Sequence, residues 1–113
     1  MPDAFSVKPV QRTVVARAGG AVIAETTRGL RLEEPGHDPV FYIPREDVGM
    51  EFLEPSDTRT HCPHKGEATH YDVVAKSGAL RDAAWSYEEP LPGAEEIAGH
   101  IAFYPDKAYV EEL

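Results

Sequence analysis

Hydrophobic residues along the chain fall in short runs that prolines and glycines interrupt, a pattern that predicts strands rather than helices. The segment "TVVARAGGAVIAET" holds two such runs around Gly19-Gly20. Glycine there supplies the positive φ angles of a tight turn, so the segment predicts a β-hairpin. "EATHYDVVA" and "ALRDAAWSY" predict a second hairpin. Further short strands are predicted in "GLRLEE", "PVFYIP", Met50 to Leu53, "HIAFY" and "KAYVEE".

Helix is favoured in one place, from Ala94 to Ala98, where good helix formers precede Gly99, a residue that suits a C-terminal cap. At most one short helix is expected there, and a polar loop is expected after Pro55. Ten prolines and nine glycines among short apolar runs predict a mainly β fold. Residues 1–13 are predicted to be a loose N-terminal segment, and residues 14–113 a single β domain.

Charge and composition narrow the classes of partner. Twenty acidic residues against eleven basic ones give a formal net charge of -9, a field that repels a phosphate backbone, so no nucleic-acid partner is expected. No run approaches the roughly 18 apolar residues of a membrane helix, and no membrane partner is expected. A single cysteine cannot form an internal disulfide, which fits a reducing compartment and predicts a cytoplasmic protein.

The stretch "THCPHKGEA" places the only cysteine, Cys62, between His61 and His64, with Lys65 close behind. His61, Cys62 and His64 are all competent zinc ligands, but adjacent side chains of an extended segment point to opposite faces, so no metal site is predicted. A second reading takes Cys62 as a nucleophile with His61 as its base, because nearby cations favour the thiolate. A third takes the stretch as a tight turn that presents Lys65 to an anion.

Other candidates for a ligand site lie outside this stretch. Trp85 and Tyr87 alternate along one strand, where they either stack on a planar ligand or fill the core. His100 is a candidate polar contact in the same cleft. Arg28 carries the planar fork that captures carboxylates and phosphates, with a surface salt bridge as the ordinary alternative.

Four segments in order carry a family resemblance: "TRGLRLEEPGHDPVFYIPREDV", "THCPHKGEATHYDV", "AAWSYEEPLP" and "AGHIAFYPDKAYVEE". From about Val14 onward the chain resembles the bacterial and fungal family of unknown function numbered 427, also labelled nucleotidyltransferase-like. The family's segment after the cysteine commonly reads Cys-Pro-Tyr-Lys-Gly. Cys62, Pro63, Lys65 and Gly66 match it, whereas His64 departs from it.

The resemblance implies a small two-sheet domain of β-tent or Mss4-like architecture, in which the sheets splay apart and leave a cleft. Zinc-binding relatives of that architecture carry two cysteine pairs, and this chain has neither pair. The chain also lacks the Asp-x-Asp pair that metal-dependent nucleotidyl transfer needs, so the label implies no mechanism here.

The leading hypothesis is a small cytoplasmic β domain that binds a small anionic or aromatic molecule in a cleft. The predicted lining is Arg28, His61, Cys62, Lys65, Trp85, Tyr87 and His100. One alternative is an enzyme that uses Cys62 and His61 in transfer or hydrolysis of a small substrate. Another is an oligomerisation or interaction module whose strand edges pair between copies, with homo-oligomers as the product.

Overall fold

The computed structural model describes residues 5–113 and confirms a mainly β fold. These residues contain no α-helix, and three short 3₁₀ turns lie at Arg45–Asp47, Met50–Phe52 and Glu95–Ile97. The ten strands are β1 (Ser6–Pro9), β2 (Val14–Ala18), β3 (Ala21–Thr26), β4 (Leu30–Glu33), β5 (Val40–Tyr42), β6 (Leu53–Cys62), β7 (Gly66–Ala75), β8 (Gly78–Ser86), β9 (Ala102–Phe103) and β10 (Tyr109–Glu112).

The strands form three antiparallel sheets, where the resemblance implied two. Sheet I has the order β1-β4-β5, sheet II the order β10-β2-β3, and sheet III the order β6-β7-β8-β9. An isolated bridge between Ile43 and Ile101 links the end of β5 to the start of β9. A second bridge joins Ala24 of sheet II to Val48. The finer β-tent or Mss4-like assignment stays a prediction.

Both predicted hairpins are confirmed. Strands β2 and β3 meet at Gly19 and Gly20, whose φ angles of 58° and 80° lie in the left-handed region that glycine adopts readily. A Cβ added at Gly19 would lie 2.8 Å from the Cβ of Ala75, so the turn also needs glycine for space. Strands β7 and β8 form the second hairpin, with Gly78 at φ 120°.

The prediction of a strand from Met50 to Leu53 and a polar loop after Pro55 was wrong. Met50–Phe52 is a 3₁₀ turn in which Phe52 N–H donates to Gly49 O at 2.9 Å, and Leu53 begins the long strand β6. The polar residues of β6 are extended because β7 supplies their backbone partners, as in the pair Thr60↔Ala68. Tertiary pairing therefore overrides local composition here.

Two other predicted segments differ in detail. The predicted helix at Ala94 to Ala98 is a single 3₁₀ turn, Glu95–Ile97. Within the segment 1–13 that the sequence predicts to be loose, Ser6–Pro9 form β1 and pair with β4. Residues 1–4 of that segment lie outside the described residues.

Two hydrophobic cores lie on the two faces of sheet III, because successive residues of a strand point to opposite faces. The first core joins sheets II and III, and it includes Val14, Ala16, Ile23, Val73, Ala84 and Phe103. The second core joins sheets I and III, and it includes Leu32, Tyr42, Ala68, Tyr87 and Ala102. The face of sheet III that carries the second core also carries most of the predicted site residues.

Within residues 5–113, no helix has both the length and the apolar composition that crossing a membrane requires.

Candidate functional site

The structure brings four of the predicted residues to the face of sheet III that looks toward sheet I. Cys62 and Trp85 pack against the second core, and Tyr87 is part of it. Lys65 follows in the turn between β6 and β7, where its Nζ lies 5.5 Å from the ring centroid of Phe5, another residue packed on that core. Strand alternation and the turn together explain this grouping.

Lys65 is held in place by backbone and side-chain contacts. Its N–H donates to Cys62 O at 3.3 Å, and its carbonyl accepts from the N–H of Leu91 at 2.9 Å. The side chain is only 7% exposed, and its Nζ donates to Glu34 Oε1 at 2.6 Å. The predicted anion-seeking lysine is therefore a nearly buried ion pair, and an anion would have to compete with Glu34 for its charge.

Cys62 and His61 point to opposite faces of β6. The strand pairs Cys62 with Gly66 and His61 with Glu67, so the thiol faces the second core while the imidazole faces away and is exposed. This geometry separates the nucleophile and base that the enzyme hypothesis pairs, and it leaves Cys62 as a half-buried free thiol.

Two tyrosines border Cys62 and Trp85. Trp85 Nε1–H donates to the hydroxyl of Tyr42 at 3.2 Å, and the two rings meet edge to face with centroids 6.2 Å apart. Burial raises the pKa of the Tyr42 phenol above its ordinary value. Burial, and next the neighbouring Cys62 thiol, raise the pKa of Tyr87 to about 12. Both phenols therefore stay protonated at neutral pH and act as hydrogen-bonding groups.

Arg28 and His100 make contacts of their own. Arg28 is exposed, and its guanidinium pairs with Asp47 at 3.1 Å and Glu46 at 3.3 Å on the 3₁₀ turn Arg45–Asp47. His100 is half-buried, with Nδ1 3.1 Å from the carbonyl of Ala98 in its own loop. For Arg28, the ordinary alternative of a surface salt bridge is what the structure shows.

A groove of about 310 Å³ opens where β5 of sheet I, β8 and β9 of sheet III, and β10 of sheet II approach one another. We call it the aromatic groove, because four of its side chains are aromatic. Trp85 is the predicted site residue that lines it. The full lining is Asp38, Pro39, Val40, Phe41, Trp85, Phe103, Pro105, Ala108, Tyr109 and Val110.

A second space, which we call the polar cavity, has a volume of about 310 Å³. Its lining is Thr58, Thr60, His70, Asp82, Tyr104, Asp106 and Lys107. Tyr104 borders this cavity and Trp85 borders the aromatic groove, and their ring centroids are only 4.3 Å apart. One aromatic ring pair therefore borders both spaces.

Sequence reasoning missed the polar cavity. It assigned His70 and Asp82 no role, because the groups that contact them lie far away in the chain. Alternation along the predicted strand "HIAFY" is the one local signal, because it puts Tyr104 on the same face as His100. Among residues 5–113, no three or more His, Cys, Asp and Glu side chains are grouped so as to hold a metal ion.

Comparison with known proteins gives one family. No curated protein matches the chain. The family described as a domain of unknown function, DUF427, matches residues 6–112, which is nearly the whole chain and includes β1 as well as the segments from β2 onward. The chain therefore belongs to the DUF427 family.

Proposed function

We propose that the chain is a binding domain for a small planar aromatic molecule, which occupies the aromatic groove. The observation that carries the proposal is the accessible aromatic surface gathered there. Tyr109 is 62% exposed, Trp85 and Phe41 are half-buried, and all three line one groove. Small-ligand sites are concave and mostly apolar, with a few polar groups that fix orientation, and this groove has that character.

Charge favours an aromatic ligand over an anionic one. The two cations predicted to capture an anion are engaged, Lys65 with Glu34 and Arg28 with Asp47 and Glu46. Asp38 is the acidic residue in the groove lining, so a carboxylate ligand would meet repulsion there. A neutral or cationic aromatic ring can stack on Trp85 and direct a hydrogen-bond donor to Asp38.

The chain's single tryptophan makes the proposal simple to test, because Trp85 supplies the one indole N–H in a ¹H–¹⁵N correlation spectrum. Titration with indole and with adenine should shift that resonance, whereas benzoate should not. Replacing Tyr109→Ala should weaken indole binding about fivefold or more, the loss of one stacked ring. Val22→Ala is a matched control, since Val22 is 51% exposed on β3 of the same sheet and is absent from the groove lining.

Two results would contradict the proposal. The first is an indole N–H resonance of Trp85 that stays fixed with indole and adenine while benzoate shifts it, which would favour an anion site instead. The second is an equal loss of indole affinity in Tyr109→Ala and Val22→Ala, which would show that indole does not bind at the groove wall. The proposal keeps a cytoplasmic location. It also keeps the expectation of no nucleic-acid partner, which the excess of acidic residues supports.

A further inference from the structure

Two irregularities in sheet III face each other across β7. Between the pairs Pro55↔Tyr71 and Arg59↔Thr69, residues 56–58 of β6 lie opposite the single residue 70. Between the pairs Tyr71↔Ala84 and Val73↔Leu80, residues 81–83 of β8 lie opposite the single residue 72. β-bulges re-aim side chains and are over-represented beside active and binding sites. Here both bulges direct polar groups into the polar cavity.

The side chain of Asp82 links the two bulges by reaching from β8 across β7 to β6. Its two carboxylate oxygens accept hydrogen bonds from the hydroxyls of Ser56 and Thr58, the latter at 2.6 Å, and both hydroxyls belong to the other bulge. Its backbone N–H donates to Asp72 Oδ1 at 2.8 Å. These contacts fix the carboxylate, and the hydrogen bonds from Ser56 and then Thr58 lower the pKa of Asp82, so it is ionised at neutral pH.

The backbone of Asp82 is strained. Its φ of 50° is the one positive value found among the described residues other than glycine. Backbone strain of this kind persists where the surroundings over-determine it, and it clusters at ligand sites. The three hydrogen bonds that Asp82 makes hold its backbone in this conformation. They thereby fix its carboxylate at the wall of an open cavity.

The lining also carries a second positioned group, on β7. His70 is 2% exposed, and its Nε2 lies 3.0 Å from the hydroxyl of Tyr104. The Nδ1 atom of His70 is buried and has no protein partner. A buried polar atom without a partner is costly, and the ring is held beside Tyr104 by stacking, with centroids 6.0 Å apart. The contact from Nε2 fixes the direction of the Tyr104 hydroxyl, and burial raises the pKa of that phenol, which keeps its proton.

We infer that the polar cavity binds a small neutral polyhydroxylated molecule, of about the size of a monosaccharide. The lining carries both signs of charge, the carboxylates of Asp82 and Asp106 and the ammonium of Lys107, which donates to the carbonyl of Arg81, so a ligand of either sign meets repulsion as well as attraction. A hydroxyl group both donates and accepts, so a polyol can donate to Asp82 and accept from Thr60 or Tyr104 without bringing charge. The volume of about 310 Å³ is at the small end of the range for ligand sites.

The inference is tested by titrating the ¹⁵N-labelled protein with D-glucose, D-ribose and myo-inositol, each to about 100 mM, a range that detects millimolar binding. At least one polyol should shift the backbone amides of Thr60 and Tyr104. Thr60→Val, which removes one exposed hydroxyl with little change in shape, should weaken that binding about fivefold. Thr69→Val is the matched control, because Thr69 lies next to His70 on β7 and therefore points to the opposite face.

A second variant, Asp82→Asn, removes the charge and keeps a residue type that tolerates positive φ. We expect it to weaken polyol binding about tenfold, since hydrogen bonds to a charged acceptor are the stronger kind. The inference is overturned if no polyol shifts these amides at the highest concentration. It is also overturned if glycine, a zwitterion, shifts them while the polyols do not, or if Thr69→Val weakens binding as much as Thr60→Val. Indole titration of the aromatic groove is a separate experiment, and its outcome does not decide whether a polyol binds the polar cavity.

Discussion

Two ion pairs of the molecule share similar chemistry and differ in exposure. Lys65 and Glu34 meet at 2.6 Å with side chains 7% and 22% exposed, whereas Arg28 meets Asp47 at 3.1 Å with side chains 57% and 26% exposed. Both cations were predicted from the sequence to contact an anion, and both lie in segments that match the family. The structure separates them, because a nearly buried charge without its partner is costly while an exposed one is hydrated.

The two regions also differ in the pH at which they are sensitive. Around Lys65 and Glu34 lie phenols whose pKa values are raised, Tyr87 among them, so this region changes charge in alkaline solution. Around Arg28, a hydrogen bond from Thr26, together with Arg28 itself, lowers the pKa of Asp47, so that region changes charge in acid. We therefore expect the region around Lys65 to lose stability in alkaline solution and the region around Arg28 to lose stability in acid.

The largest effect is expected from breaking the buried pair. Lys65→Met keeps much of the side-chain length but leaves Glu34 largely buried without a counter-charge, and it should lower the free energy of unfolding by about 3–5 kcal/mol. Urea unfolding followed by circular dichroism measures the loss.

The double variant Lys65→Met with Glu34→Leu is the control for that prediction. It removes both charges, and much of the lost stability should return, because buried ion pairs are often replaceable by apolar side chains. A single variant within about 1 kcal/mol of the parent would mean that the pair behaves like an exposed one, and the comparison would fail.

An intermediate effect is expected from Tyr87 in alkaline solution. Because its folded pKa of about 12 is above the ordinary tyrosine value of about 10, the folded state holds its proton more tightly. The stabilisation is complete below about pH 10 and is lost as pH rises through about 12.

Tyr87→Phe cannot ionise, so its alkaline unfolding midpoint should lie at higher pH than that of the parent, with a change of about 1 kcal/mol or less at neutral pH. Circular dichroism over an alkaline pH series measures the midpoint. An unchanged or lower midpoint in Tyr87→Phe would show that this phenol does not contribute to alkaline sensitivity.

The smallest effect is expected at the exposed pair. Arg28→Ala should lower the free energy of unfolding only slightly, far less than Lys65→Met does, and added salt should reduce the difference from the parent. Because the folded pKa of Asp47 is lowered, its contribution is present above about pH 4, the ordinary aspartate value, and is lost as pH falls through the lower folded value.

The Arg28→Ala variant should therefore lose less stability on acidification than the parent does. Thermal unfolding at neutral and acidic pH, with and without salt, measures both differences. A cost at Arg28 as large as that at Lys65 would show that exposure does not set the value of these pairs.

Turn chemistry made much of the fold predictable. The glycines at positions 19, 20 and 78 fixed both hairpins, since left-handed backbone at a strand junction is a local property. The burial of Lys65 was not predictable in this way, because it depends on Glu34, which lies 31 residues away in the chain. Strand β6 was missed for a related reason, since its polar side chains carry no strand signal and its partner β7 supplies the pairing.

The residues of the candidate sites also differ in whether the sequence could predict them. Trp85 was predictable as a residue that either stacks on a ligand or fills the core, and it does line a groove. Asp82 was not predictable, because its role depends on hydroxyls of Ser56 and Thr58 that reach it across an intervening strand. The surroundings of Asp82 come from three strands, so the alternation of polar and apolar residues within any one strand does not predict them.

The placement of β10 beside β2 has a kinetic consequence. The pairs Tyr109↔Arg17 and Val110↔Ala16 join segments more than ninety residues apart, as the Arg17–Glu111 contact also shows. Pairings between such distant segments form slowly, because the entropy of closing a long loop is lost before the new contacts can stabilise the chain. During synthesis on a ribosome, β2 can fold back on β3 early, but its other edge stays open until β10 emerges, and an open edge is where nascent chains associate with one another.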